Sequence, residues 1–189
     1  MDLVPLTIRT LRSAMTREEA GRKLAPSGAN KLVRRLLSGP FVGLSDVYIP
    51  YRLYKVTAQD RNRQSIRWVA VDAVAGMLDP YEFPQSVLPD RFVEIKTRNF
   101  LPERLPEEQN REAVLRSSRR LLFSGGFFRL SEPAITAEFL GPLFYVPYWA
   151  GFYGSDPNIK VVMLDAVRRT VEGAKAGELL KNWLMQGSG

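Results

Sequence analysis

The chain has 189 residues, 45% hydrophobic and 25% charged, enough apolar material for one large or two small folded cores. It contains no cysteine and no histidine, which excludes disulfides, thiolate nucleophiles, His-dependent triads, HExxH zinc sites and His-ligated haem. Lys and Arg number 27 against 20 Asp and Glu; of the net +7, residues 1–80 hold +6 (13 basic, 7 acidic) and residues 81–189 hold +1 (14 and 13).

Met1-Asp2-Leu3-Val4-Pro5-Leu6 carries an acidic residue and no apolar run of signal-peptide length, so a cytoplasmic location is expected. Leu6 and Ile8 alternate with polar residues and predict a strand with both on one face. Thr16-Arg17-Glu18-Glu19 is a capping box, the Thr16 hydroxyl accepting from the third helical amide while Glu19 reaches back, and it opens a helix. Arg9, Arg12, Arg17, Arg22, Lys23, Lys31, Arg34 and Arg35 crowd this region. Such a surface attracts nucleic acid, acidic lipid or an acidic partner, or else keeps a helix solvated.

Residues 47–57 and 66–74 are aromatic and β-branched, and the polar run from Gln59 to Gln64 between them predicts a hairpin. Met77-Leu78-Asp79-Pro80-Tyr81 reads as strand or loop, and Pro80, Pro84 and Pro89 punctuate a junction. Val93 and Ile95 then open a second alternating strand. A helix follows from about Glu107, with Val114, Leu115, Leu121 and Leu122 at helical spacing and Gly125-Gly126 as its stop. Residues 144–153 and 159–167 flank a turn, Gly154-Ser155-Asp156-Pro157-Asn158. Pro50 and Pro147 have no amide to give a ladder, so each is expected at a strand start or on an edge. A last helix over about 173–185 carries Leu179, Leu180, Trp183 and Leu184 on its apolar side. The longest apolar stretch, 139–153, is broken by Gly141, Pro142, Pro147 and Gly151, so no transmembrane segment is expected; peripheral contact with an acidic membrane stays open.

The two halves match at five places in the same order. Ile8-Arg9-Thr10 answers to Ile95-Lys96-Thr97, Glu18-Glu19 to Glu107-Glu108, and Arg34-Arg35-Leu36-Leu37 to Arg119-Arg120-Leu121-Leu122. Tyr48-Ile49-Pro50-Tyr51 answers to Tyr145-Val146-Pro147-Tyr148, and Val71-Asp72-Ala73-Val74 to Leu164-Asp165-Ala166-Val167. The offsets run from 85 to 97, differing where loops change length. The expected fold is α+β: two tandem β-α-β-β(-β) repeats, residues 1–88 and 89–189, forming antiparallel sheets with helices on one face and packed about a pseudo-twofold.

The capped helix with its Glu-Glu start, the aromatic strand, the polar hairpin and the closing Val71-Asp72-Ala73-Val74-Ala75-Gly76 together resemble PepSY and cystatin-like units. That last segment is similar to the V-D-A-x-T-G end of a PepSY strand pair, with Ala75 in place of Thr. In the second half, Leu164-Asp165-Ala166-Val167-Arg168-Arg169 keeps the Asp-Ala and loses the Gly. The resemblance covers residues 16–76 and less of the second half. It implies a non-catalytic module that binds proteins or peptides, in families often found outside the cytoplasm.

The recurring polar and aromatic residues are the candidate sites. Asp72 and Asp165 occupy matched positions, but each is followed by Ala-Val rather than the Thr/Ser-Gly of an aspartic-protease dyad, which favours a structural Asp accepting backbone amides. Arg34, Arg35, Arg119 and Arg120 either complement helix C-termini or grip a phosphate or carboxylate bidentately. Tyr48, Tyr51, Tyr145, Tyr148 and Trp149 lie on strands; Tyr48 and Tyr51 fall on opposite faces, one toward the core and one toward a partner or a stacked base. Neither a phosphate-binding glycine loop nor a calcium-loop spacing is present, and no cofactor or metal is expected. Two functions are left: a non-catalytic protein-interaction or assembly module, and a nucleic-acid-binding protein in which the basic first repeat grips phosphates across a two-repeat saddle.

Overall fold

Residues 4–25, 39–60, 63–79, 91–124, 134–154 and 158–186 are described by a computed structural model. They run in the order β1 (Leu6–Leu11), α1 (Arg17–Leu24), β2 (Phe41–Asp60), β3 (Arg63–Asp72), β4 (Leu78–Asp79), β5 (Phe92–Thr97), α2 (Glu107–Ser124), β6 (Ala134–Phe139), β7 (Phe144–Tyr153), β8 (Lys160–Asp165) and α3 (Ala174–Gln186). The class is α+β with a mixed sheet. Two compact units are present, and neither follows the 1–88 and 89–189 division of the sequence. One comprises Met1–Tyr48, Phe92–Leu101 and Tyr145–Gly189; the other comprises Ile49–Arg91 and Pro102–Phe144. Each therefore draws on both halves of the chain.

In the first unit β1 and β5 pair antiparallel over their whole length, Leu6 opposite Thr97, Ile8 opposite Ile95 and Leu11 opposite Phe92. β7 and β8 form an antiparallel hairpin from Tyr148 opposite Asp165 to Tyr153 opposite Lys160. β1 meets β7 in parallel at Thr10 and Tyr145, where the Thr10 hydroxyl also donates to the Tyr145 carbonyl at 3.0 Å. This contact corrects the expectation of purely antiparallel sheets: a strand that crosses to lie beside a hairpin from the far half of the chain is not bound to the antiparallel sense that a short turn imposes.

Helix α1 starts as its sequence dictates, with the Thr16 hydroxyl accepting from the Glu19 amide at 3.3 Å and the Glu19 carboxylate from the Thr16 amide at 2.9 Å. Its apolar side, Ala20 and Leu24, packs with Met15 on Leu164, Trp149, Phe41, Leu44 and Val162. At its far end the Tyr153 hydroxyl donates to the Leu24 carbonyl at 2.5 Å, satisfying a carbonyl with no helical partner. In α3, Leu180 is buried, whereas Leu184, expected on the apolar side, is exposed. Leu6 is likewise 52% exposed although it alternates with the buried Ile8, because it lies at the open end of its strand.

In the second unit β2 pairs with β3 from Tyr51 opposite Asp72 to Asp60 opposite Arg63, closing the expected hairpin, and with β6 from Tyr54 opposite Phe139 to Gln59 opposite Ala134. Ladders on both edges make this stretch a central strand, which accounts for its β-branched and aromatic composition. Helix α2 lays Val114 and Leu115 on Tyr54, Val56, Val71 and Ala137.

Pro50 and Pro147 were expected at strand starts or edges; both lie inside strands and are buried. The β2–β3 ladder begins at Tyr51 and the β7–β8 ladder at Tyr148, so each proline stands one residue before its hairpin ladder, where the missing amide is not needed. Its carbonyl still works: Pro50 accepts from the Ala73 amide at 2.8 Å and Pro147 from the Ala166 amide at 3.1 Å. Among the described residues no helix is long and apolar enough to cross a membrane.

Candidate functional site

Asp72 and Asp165 each end a hairpin strand and are 1% exposed. Asp72 Oδ1 accepts the amides of Val74 at 2.9 Å and Ala75 at 2.5 Å, and Oδ2 that of Met77 at 2.7 Å. Asp165 Oδ1 accepts the amides of Val167 and Arg168, both at 2.7 Å, while Oδ2 takes the Arg168 guanidinium at 2.7 Å. These carboxylates are engaged as turn-formers, each within its own unit.

The two turns share their backbone bonds and their Oδ1 contacts at an offset of 93, and differ at Oδ2, which takes the Met77 amide in one and the Arg168 guanidinium in the other. Asp72 donates its amide to Met77 and Asp165 to Thr170; Gly76 donates to the Asp72 carbonyl and Arg169 to that of Asp165. Val71 pairs with Leu78, and Leu164 with Val171. Gly76 has φ of 71° and Arg169 a φ of 62°, the single left-handed non-glycine among the described residues. The glycine that the second half lacks is thus replaced by a residue forced into the same conformation. Arg169 is secured there by an ion pair with Glu19 at 3.0 Å and by Lys23, which donates to its carbonyl at 2.6 Å.

What docks on each turn is the segment leading into a helix. The amides of Arg104 and Leu105, ahead of α2, donate to the Ala73 carbonyl at 2.8 and 2.9 Å; the Ala14 amide, ahead of α1, donates to Ala166 at 2.8 Å. In the second unit this junction is buried and polar. Arg52 donates to the Leu105 carbonyl at 2.8 Å, to Asn110 Oδ1, and to Glu103 at 2.9 Å, and Asn110 donates to the Asp72 carbonyl at 2.9 Å. Asn110 is fully buried and Arg52 nearly so. Arg52, Asn110 and Glu103 stand in none of the sequence motifs above. A usable signal existed: Arg52 alternates with Tyr54 and Val56, the residues that face α2, so a charge was due to point inward and to need partners.

The proposed partner-binding residues divide by burial. Tyr51 and Tyr148 are core residues, Tyr51 stacked on Phe144 with centroids 6.4 Å apart. Tyr48 and Tyr145 are half-buried, Tyr145 edge-on to Phe100 at 6.1 Å. Burial, reinforced by Asp46, pushes the Tyr48 hydroxyl up to about 12, so it is no acid–base group near neutrality. Trp149 packs against the α1 cluster, with its indole nitrogen buried and lacking an acceptor among the described residues. Arg119 and Arg120 are exposed on α2, while Arg34 and Arg35 lie outside the described residues. Among the described residues no three acidic side chains converge as a metal site. Comparison with protein-family models, curated proteins and solved structures found no match in any of the three.

Proposed function

We propose that the chain is a duplicated α+β unit whose halves have exchanged a helix and the segment leading into it, and that it serves as a non-catalytic module for protein interaction or assembly. The observation that carries this reading is the reciprocal docking: the turn at Asp72 holds the segment ahead of the second half's helix, and the turn at Asp165 holds the segment ahead of the first half's. The shared backbone bonding of residues 70–79 and 163–172 supports the duplication. So does the β1–β5 ladder, in which the matched Ile8 and Ile95 stand opposite each other as a local pseudo-twofold requires. The residues shared by the halves work as fasteners between chain segments, the task that interface residues perform in an intertwined homodimer, rather than as an acid–base pair.

On the first unit Val42 is 64% exposed and Val171 52%, apolar side chains that a protein partner would cover. Nucleic-acid binding is the second reading, favoured by the exposed Arg12 and Arg22 near α1. It is weakened because Arg17 and Lys23 of the same region donate to the carbonyls of Leu44 and Arg169, at 3.0 and 2.6 Å. A titration against labelled single- and double-stranded nucleic acid at low and physiological salt separates the two. The module reading expects binding that collapses at physiological salt. Affinity that persists there and is lost in Arg12→Ala/Arg22→Ala would transfer the function to nucleic acid.

A further inference from the structure

We infer that the outer edge of β5 pairs with a second copy of this chain, antiparallel, with Ile95 opposite its symmetry mate. Among the described residues β5 pairs only with β1; the bridge from Phe100 to Tyr48 lies beyond its end. A strand edge left in this state is a template for another strand unless something guards it. The usual guards, a proline or a bulge, are missing from the six residues Phe92–Thr97. Lys96 alone would repel a second edge, but Glu94 stands two residues away on the same face, and both are exposed.

Those two charges make the edge self-complementary. About an axis at Ile95, Glu94 falls opposite Lys96 of the second copy and Lys96 opposite Glu94, Val93 opposite Thr97, and Phe92 opposite Arg98. The same chemistry is already realised on the other edge of the strand. There β5 pairs with its matched strand β1 in the equivalent register, Ile on Ile, with Arg9 facing Glu94 and its guanidinium 4.3 Å above the Phe92 ring. Pairing on the outer edge joins the two sheets through β1-β5-β5-β1 and closes under a twofold, so it stops at a dimer. The contact is short and charge-dependent, hence reversible and weakened by salt. This inference rests on the assembly reading and names the partner for it.

Sedimentation velocity of the full chain over a concentration series, at low and high salt, tests it. The wild type is expected to move from monomer to dimer with concentration, less so at high salt. Glu94→Lys and Lys96→Glu each place like charges opposite one another twice over, and should weaken dimerisation about tenfold. The double reversal Glu94→Lys/Lys96→Glu restores the complementarity across the edge and the net charge while setting the new lysine against Arg9 within the chain, and should recover most of the lost dimerisation. A wild type that stays monomeric throughout overturns the inference, as does dimerisation unchanged in Glu94→Lys or not recovered in the double reversal. A monomer would leave the docking of the helix-leading segments, and the module reading built on it, as they are.

Discussion

Arg169 holds a left-handed backbone where its counterpart, Gly76, needs none of the compensation it receives. An L-residue in that region gives up about 1 kcal/mol relative to glycine. Arg169→Ala keeps that strain and loses the pair with Glu19, whereas Arg169→Gly loses the pair and relieves the strain. Urea denaturation should therefore find Arg169→Gly more stable than Arg169→Ala by about 1 kcal/mol. At Gly76 the order reverses, since an alanine there is strained and would bring its Cβ within 3.1 Å of the Leu105 side chain. Asn110→Ala should cost about 2–3 kcal/mol by the same measurement, because it strips a partner from the buried Arg52 guanidinium and from the Asp72 carbonyl together. At this scale the Asp72 and Asp165 turns were legible, because an Asp that accepts the next amides is a local device written in consecutive residues. The Arg52–Asn110 bond joins residues 58 apart in the chain, and local pattern does not encode such pairings.

Elements with local signatures came out as read: the capping box of α1, the 107–124 helix and both hairpins. Thr16→Ala removes the hydroxyl that accepts the Glu19 amide and should lower stability by about 1 kcal/mol. Elements decided by their neighbours did not read as well. Pro50 and Pro147 argued for strand ends, yet each strand continues because the hairpin ladder begins just after the proline. Gly177 makes the same point for α3. A helical glycine should gain from Ala by propensity, by up to about 1 kcal/mol. Here its Cβ would fall inside van der Waals contact of the Val161 carbonyl oxygen, so Gly177→Ala should instead lower the melting temperature by forcing α3 off β8.

For the molecule as a whole, the absence of histidine means that no side chain with an ordinary pKa titrates near neutrality, and stability should be flat from about pH 6 to 9. The alkaline limit is set by two tyrosines, Tyr54 in the core and the half-buried Tyr48. Tyr48 and Tyr54 are both pushed up to about 12, chiefly by burial, so the stability they contribute is complete below the ordinary tyrosine value and erodes as pH rises toward 12. On the acid side the Thr16 amide holds the Glu19 carboxyl below its usual range, so that contribution is present at neutral pH and fades as pH falls through the carboxylate range. Thermal melts across pH check both limbs. Sequence matching suggests paired halves and carries no sign of the exchange proposed above. Matched motifs pair segments with one another, whereas the docking of Arg104 and Leu105 on Ala73 joins residues about thirty apart in the chain, which local pattern does not encode.

Reciprocal docking is the central claim, and paramagnetic broadening tests it most directly. The chain has no native cysteine, so Arg104→Cys offers a unique site for a spin label on the exposed segment ahead of α2. The account predicts that the label broadens the backbone amides of Ala73, Val74 and Ala75. Broadening of Ala166, Val167 and Arg168 with those three untouched would place the segment on its own half and contradict it.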